Sequence, residues 1–487
     1  MSSDGPGTAP GRGSAPAPGR TPGPTRRGNA RRRRGRAFVS AFGIVVAVLA
    51  VVGLVGAAAS VALGPRVTEV SVDPDAAVAA SGSRLIVTTS QSLAEVTAEQ
   101  VTVTPETPFA VDTSGRSVGV RFGTPLRDET EYTVTFSGLT GVGGGPAVEI
   151  TETFRTPAIE VHLLQRGGDE DTIFRTDLGG EQAQPVFRHP HIEDFRATAS
   201  HLVISVRTDD DRAALIVTDL DGGDERELPL PGNGFVSNLQ AADRGETIGY
   251  TFSDADLGAE GGRESMLYTA SVAPGAADAE PTAVAVEGVD PRVDQWRFVP
   301  ETDSILVLTF DSTLLLAGAT GEGATTLGNA VSIEGIAGTD AIVERVDGII
   351  VIDLTDASEA PLVEADAELG RLDAALPVPG GGTLRTYAQL DADGFPVGSR
   401  IAFVDDDGRS QVVADVDPAD AVLQNCVSPS GRYAATLIAP DAVTNRYDQY
   451  LLPMPETVET RLAELDDATA LVALSGFDIS WCRVPPS

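Results

Sequence analysis

Lysine is absent from this sequence: all 35 basic residues are arginine, set against 71 acidic ones. With the weight of alanine, glycine, valine and aspartate, that points to a coding sequence rich in G and C and indicates no activity. Histidine is scarce, four in 487 residues, and cysteine scarcer, with two. In an exported chain two cysteines favour one disulfide over a metal site. His-Glu-x-x-His and a phosphate-binding loop are both absent, and no nucleophile elbow is read. No catalytic, cofactor-binding or metal residues are therefore expected, and the chain reads as a non-enzyme. Long uncharged apolar runs are also rare.

The one such run is Phe38 to Leu63, without a charge or a proline. At ~1.5 Å rise per residue it spans a hydrocarbon core ~30 Å thick. A basic block precedes it, with Arg31, Arg32, Arg33, Arg34 and Arg36 nearest the run. Arginine-rich flanks stay cytoplasmic. The expectation is therefore a cytoplasmic N-terminus, a retained single-pass transmembrane helix over residues 38–63, and domains outside. The block would contact anionic lipid headgroups at ~1 kcal/mol per residue. A cleaved secretory signal ending near Ala57-Ala58-Ala59 is the competing reading, although its apolar core would exceed the ~7–15 residues usual for a signal. Either way the bulk of the chain is exported. Residues 1–37 read as a disordered basic tail, because Met1 to Thr25 is too poor in apolar groups to offset ordering entropy.

Nine of the 35 basic residues and one of the 71 acidic ones precede Phe38, leaving 26 against 70, a net of −44. An exported portion this acidic makes nucleic acid an unsuitable partner, since phosphate binding needs the opposite sign. Solubility is the plain reading of the charge, and attraction of basic partners the sharper one.

Residues 65–157 read as short strands between turns. Val67–Val72, Arg84–Thr89, Val101–Thr104, Val118–Phe122, Tyr132–Phe136 and Val148–Phe154 carry period-two β-branched and aromatic patterns. About seven strands in roughly 90 residues predict a β-sandwich of the immunoglobulin kind. Asp73-Pro-Asp75 reads as a turn initiator and not a calcium pair. The run Pro125-Leu126 to Tyr132-Thr-Val-Thr-Phe136, closing with Thr153-Phe154-Arg155-Thr156, resembles the Ig-like domains of bacterial S-layer and envelope proteins. The resemblance implies a spacer or adhesive unit.

Residues 158–487 repeat. An apolar strand, an Asp/Gly turn and a polar strand recur at Ile173–Gly180, Leu215–Gly223 and Arg400–Gly408. A second unit is clearest at Asn425–Leu437, with copies near Asp194, Asn238, Gln295, Glu334, Arg371 and Asp478. Starts spaced by roughly 37 to 57 residues fit four-stranded propeller blades. Ser428-Pro-Ser-Gly-Arg-Tyr433 and Asp219-Leu-Asp-Gly-Gly223 resemble the blades of TolB and of the dipeptidyl-peptidase-IV N-terminal type. That likeness implies an all-β fold and, without the peptidase domain, no catalysis. The final strand, Phe477 to Arg483, is expected to become the inner strand of the first blade. Seven blades then close with no free sheet edge. Cys426 and Cys482 fall at matching positions across that seam and are expected to form a disulfide, worth ~3–4 kcal/mol by loop entropy.

His189-Pro-His191 invites a metal reading but lacks a third ligand, so a polar inter-blade loop is expected. Asp391-Ala-Asp-Gly394 and Asp405-Asp-Asp-Gly408 echo calcium loops without the closing glutamate, and hairpin turns explain them better. The sequence thus predicts a membrane-anchored, extracytoplasmic binding or scaffold protein of the bacterial cell envelope, with protein or glycan partners. The rival readings are a hydrolase acting on sugars or peptides at a propeller face and an accessory sensor of a transporter or signalling system.

Overall fold

The computed structural model describes residues 26–242, 246–258 and 262–486. It opens with one helix, α1 (Arg26–Leu63). Within it Phe38–Gly56 is long and apolar enough to cross a membrane, and none of that stretch is buried against the rest of the protein. The helix begins ahead of the apolar run. The sequence places the arginine block in a disordered tail, whereas its backbone is helical from Arg26. Once the apolar segment has nucleated a helix, extending it through alanine and arginine is cheap. The side chains of Arg31 to Arg36, and the predicted disorder of residues 1–25, lie outside the described residues.

Gly64 ends the helix at φ +72°. A Cβ there would also sit 2.9 Å from the Pro146 carbonyl oxygen, so both backbone hand and space demand glycine. The chain then enters a sandwich through β1 (Val67–Ser71) and a six-residue helix, α2 (Pro74–Ala79). The Asp73 carboxylate accepts from the Ala76 N–H at 3.1 Å and caps this helix, so the Asp-Pro step starts a helical turn.

The remaining strands are β2 (Arg84–Thr89), β3 (Val101–Thr104), β4 (Phe109–Ser114), β5 (Ser117–Phe122), β6 (Glu131–Leu139) and β7 (Val148–Arg155). They form one sheet ordered β1-β2-β5-β4 and another ordered β3-β6-β7. Alternation directs Tyr132, Val134 and Phe136 of β6 onto Leu85, Val120 and Phe122 in a single core. The sequence reading did not place β4. It is an edge strand whose inward side chains are only half buried, so its hydrophobic alternation is weak.

Seven sheets follow in a ring. Blade 1 holds β8 (Glu160–Gln165), β9 (Asp171–Asp177) and β10 (Gln184–His189). Blades 2 to 7 are four-stranded antiparallel sheets over residues 192–228, 234–283, 293–329, 332–361, 371–416 and 421–475. The chain end closes the ring. Phe477 and Leu164 exchange both backbone hydrogen bonds at 2.9 Å, and the Ser480 N–H reaches the His162 carbonyl at 2.9 Å. The protein is all-β, with a seven-bladed propeller as its larger part.

The closing strand is shorter than expected. Past Ser480 the chain turns, with the Cys482 N–H on the Ile479 carbonyl at 2.7 Å. Cys426 therefore lies on the inner strand of blade 7 (Ala421–Val427), while Cys482 lies beyond a strand and not on one. The two are nonetheless joined by a disulfide, with Cα atoms 5.4 Å apart.

Strand alternation gives the ring two different faces. Turns from first to second and from third to fourth strands lie on one face. Turns from second to third strands, and the links between blades, lie on the other. The sandwich docks on the first, proximal face. Asp128 is buried there, accepting from the Tyr433 hydroxyl and the Arg432 guanidinium, each at 3.1 Å. Arg127 pairs with Asp466 beside it. The distal face points away from the sandwich.

Candidate functional site

Between the sandwich and the propeller channel lies a cavity of about 2180 Å³. Val78, Thr124 and Asp128 roof it, and Arg196, Gln240, Arg297 and Arg385 line its propeller side. Innermost strands of a propeller are sheet edges, whose outward N–H and C=O groups need partners. Here polar side chains of one blade serve the backbone of the next. Gln240 donates to the Trp296 carbonyl at 2.7 Å. Gln295 accepts from the Ile333 N–H at 2.9 Å, and Glu334 from the Ala375 N–H at 3.3 Å. A bulge interrupts the pairing of every inner strand in blades 2 to 7, where the ladder slips by a residue. The packing between blades is apolar. Trp296 is fully buried against blade 3, where a Cβ on Gly249 would stand 2.4 Å from its ring.

At the closure seam this inter-blade contact becomes an ion pair. Arg196 of blade 2 meets Asp194 at 2.8 Å and Asp478 of the closing strand at 2.7 Å, all three buried. Burial pushes the Asp194 carboxyl well above the usual carboxylate range, and the Asp478 charge adds to this while Arg196 opposes it. Burial also disfavours the Arg196 cation, but the two carboxylates outweigh it and raise its pKa.

Two further arginines face the cavity without a carboxylate in contact among the described residues. Burial pushes Arg297 down to about 10, and its guanidinium donates to the Trp296 and Ile333 carbonyls. Arg385 is buried and donates through Nε to the Thr383 hydroxyl at 2.8 Å. His162, on the same wall, contacts the Leu220 carbonyl at 2.9 Å, and burial lowers its pKa.

A strap closes the distal mouth. Residues 440–458 of blade 7 cross the seam to blades 1 and 2. The Tyr450 hydroxyl donates to Asp171 at 2.9 Å, and the Leu451 N–H to Glu193 at 2.8 Å. Arg166 pairs with Asp448 at 2.7 Å and lies 3.9 Å over the Tyr450 ring. What remains at this mouth is a pocket of about 60 Å³, lined by Leu239, Leu451, Leu452 and Pro485 among others.

The sequence motifs resolve as follows. In His189-Pro-His191 the His189 Nδ1 turns back onto His191, and the His191 ring reaches Glu193 at 2.7 Å and stacks on Tyr450. The segment is a blade-to-blade link under the strap. The Asp391 and Asp405 carboxylates each accept two backbone N–H groups of their own turns. Both are hairpin turns. Gly115-Arg-Ser-Val-Gly119 does match the Gly-x-Ser-x-Gly pentapeptide, which the sequence reading passed over. It forms the β4–β5 hairpin, with the Ser117 hydroxyl 3.0 Å from that of Thr88, and so lacks the strand-to-helix turn of an elbow. Among the described residues no group of three His, Cys, Asp or Glu side chains could hold a metal ion.

Asp128, Arg196, Arg297 and Arg385 were not singled out from the sequence. The sequence offered only a weak signal: one place in the repeat is polar in every copy, Asp194, Asn238, Gln295, Glu334, Asp373, Asn425 and Asp478, which does not set the seam pair apart.

No protein-family model and no curated protein matches the sequence. Among solved structures the chain is similar to a TolB protein from Agrobacterium tumefaciens, at 14% identity, covering 66% of this chain and 90% of that one, with a TM-score of 0.33. It is also similar to an uncharacterized protein of Listeria monocytogenes EGD-e, at 8% identity, covering 66% and 91%, with a TM-score of 0.40. A structure of a nidogen/laminin complex matches at 13% identity over 53% and 94%, with a TM-score of 0.34. Likenesses this distant leave the fold to rest on the strand topology above.

Proposed function

We infer that the chain is a membrane-anchored, extracytoplasmic binding or scaffold protein of the bacterial cell envelope. Its N-terminus is cytoplasmic, its sandwich is an Ig-like spacer, and its propeller engages a protein or glycan partner. The observation that carries this is the buried Asp128 dock. It fastens the sandwich to one propeller face, so that the other face is held away from the anchored end.

Two features support the Ig-like reading. The strand order β1-β2-β5-β4 over β3-β6-β7 is that of the constant-type immunoglobulin sandwich. The Tyr132 hydroxyl, at the start of β6, accepts from the Arg127 N–H five residues upstream at 3.0 Å, the arrangement of a tyrosine corner.

The protein is read as non-catalytic. A hydrolase would draw on paired carboxylates, and the Asp194–Asp478 pair, in which burial pushes Asp194 well up, is buried and engaged by Arg196. Protease shaving of intact cells tests the placement. The expected result is loss of the propeller with a short anchored fragment retained. Protection of the propeller until cells are permeabilised, or its release into the medium, would overturn it.

A further inference from the structure

The distal face has a composition unlike the rest of the surface. Of the thirteen large apolar side chains that the described propeller leaves exposed, ten lie on this face, which sets it apart from scattered surface residues. They follow the ring. The turn between second and third strands carries Leu257 in blade 3, Phe310 in blade 4, Val346 in blade 5, Phe395 in blade 6 and Val443 in blade 7. Val346 and Val443 are almost wholly exposed, at 98% and 96%.

Each tip has an aspartate within two residues: Asp256, Asp311, Asp347, Asp393 and Asp441 in turn. Blades 1 and 2 lack an apolar tip and show exposed acids instead, Asp169-Glu170 and Asp209-Asp210-Asp211. Hairpin turns need none of these apolar residues, and water penalises them. Arg292 lies 5.4 Å over the Phe310 ring, which is still half exposed.

We propose that the distal face docks a protein partner whose surface presents shallow apolar sockets ringed by lysine and arginine. Five apolar knobs on consecutive blades supply the desolvated anchors of such an interface, and the flanking aspartates supply the charge complement. A second copy of this chain is a poor occupant, because its own exposed charge has the same sign. A membrane is a poor one too, since acids among the tips would meet anionic headgroups. The proposal rests on the binding-scaffold reading and gives the partner its chemistry.

The test places a photo-crosslinking residue at Val346 or Phe395 in the full chain, in native membranes, with Asp356 on the proximal face as control. A discrete protein adduct from the distal positions is expected. Its crosslinked peptide should carry Lys or Arg beside an apolar residue, and the yield should fall with added salt. Phe310→Asp with Phe395→Asp should cut the yield by about tenfold or more. Asp311→Asn with Asp393→Asn, which disturbs no packing, should lower it less and flatten the salt dependence. Retention of the Cys426–Cys482 disulfide and of the protease-resistant core shows that each variant is folded. An adduct with lipid, with a second copy or with an acidic surface overturns the proposal, as does an unchanged yield in both variants. An adduct from Asp356 alone overturns it while sparing the scaffold reading; no adduct at any position counts against both.

Discussion

The closure seam and the opposite side of the ring hold neighbouring blades together by different means. Between blades 4 and 5 an apolar cluster of Leu306, Leu308, Leu314, Ile333 and Val343 is tied by side-chain-to-backbone hydrogen bonds: Gln295 accepts from the Ile333 N–H, Arg297 donates to the Ile333 carbonyl and Arg345 to the Leu327 carbonyl. Around blades 7, 1 and 2 an apolar cluster of Leu164, Phe195, Leu437 and Phe477 is supplemented by a disulfide, a buried Asp–Arg–Asp cluster and a strap crossed by Arg166 and Glu193. Blades 4 and 5 follow one another along the chain, so the linker holds them near, and apolar packing with side-chain-to-backbone hydrogen bonds suffices without an ion cluster or a crosslink. Leu164 and Phe477 come from opposite ends of the propeller, and bringing them together costs loop-closure entropy that short links avoid. Directional contacts also select one register for a strand of four residues, which burial alone would specify weakly.

Breaking the seam should therefore cost more than thinning the packing opposite it. Arg196→Met leaves Asp194 and Asp478 buried without their cation. Chemical denaturation should register a loss of about 3–5 kcal/mol. A loss under ~1 kcal/mol would make the seam no different from any other junction. Replacing Cys426 and Cys482 together by serine removes a crosslink over 56 residues and should cost about 4 kcal/mol in the loop model. Combined with Arg196→Met the losses should not add, because both act on the same closing segment.

Asp128→Ala addresses the dock. It strips the Tyr433 hydroxyl and Arg432 of an acceptor at a cost of about 1–3 kcal/mol. Faster proteolysis between Thr156 and Ile159, with the propeller core left intact, should accompany it. Across the ring, Ile333→Val should cost only about 0.5–1.5 kcal/mol.

The subtlest signature is a slope against pH. The Asp194 carboxyl titrates above its unfolded value, so the folded protein holds a proton that the unfolded chain releases. The stability from this group is complete below the unfolded carboxylate pKa and is lost as pH rises through the folded one. Asp194→Asn should flatten the decline on the alkaline side of that window. A decline that persists unchanged would assign it to another group.

Much of the architecture was legible in advance. Phe38 to Leu63 announces a helix long and apolar enough to cross a bilayer, because those two properties are read directly from the sequence. Period-two alternation marks strands such as Tyr132–Phe136, and the recurrence from Asp194 to Asp478 marks blades, because each repeat must bury the same faces. Even the final strand was readable as the missing inner strand of blade 1, since a ring one strand short leaves open edges. Local pattern and local chemistry decide these features.

Other features exist only in three dimensions. The sequence places Asp128 in a turn of the sandwich, and nothing around it tells that Arg432 and Tyr433, some three hundred residues later, will bury it. Cys482 reads as part of a strand but sits beyond a turn, because pairing with blade 1 ends at Ser480. The arc from Leu257 to Val443 looks like five unrelated turn residues until strand alternation brings their tips to one face. A carboxylate's partner, a strand's last pair and a tip's neighbours are set by distances between segments remote in the chain. Local sequence carries no record of those distances.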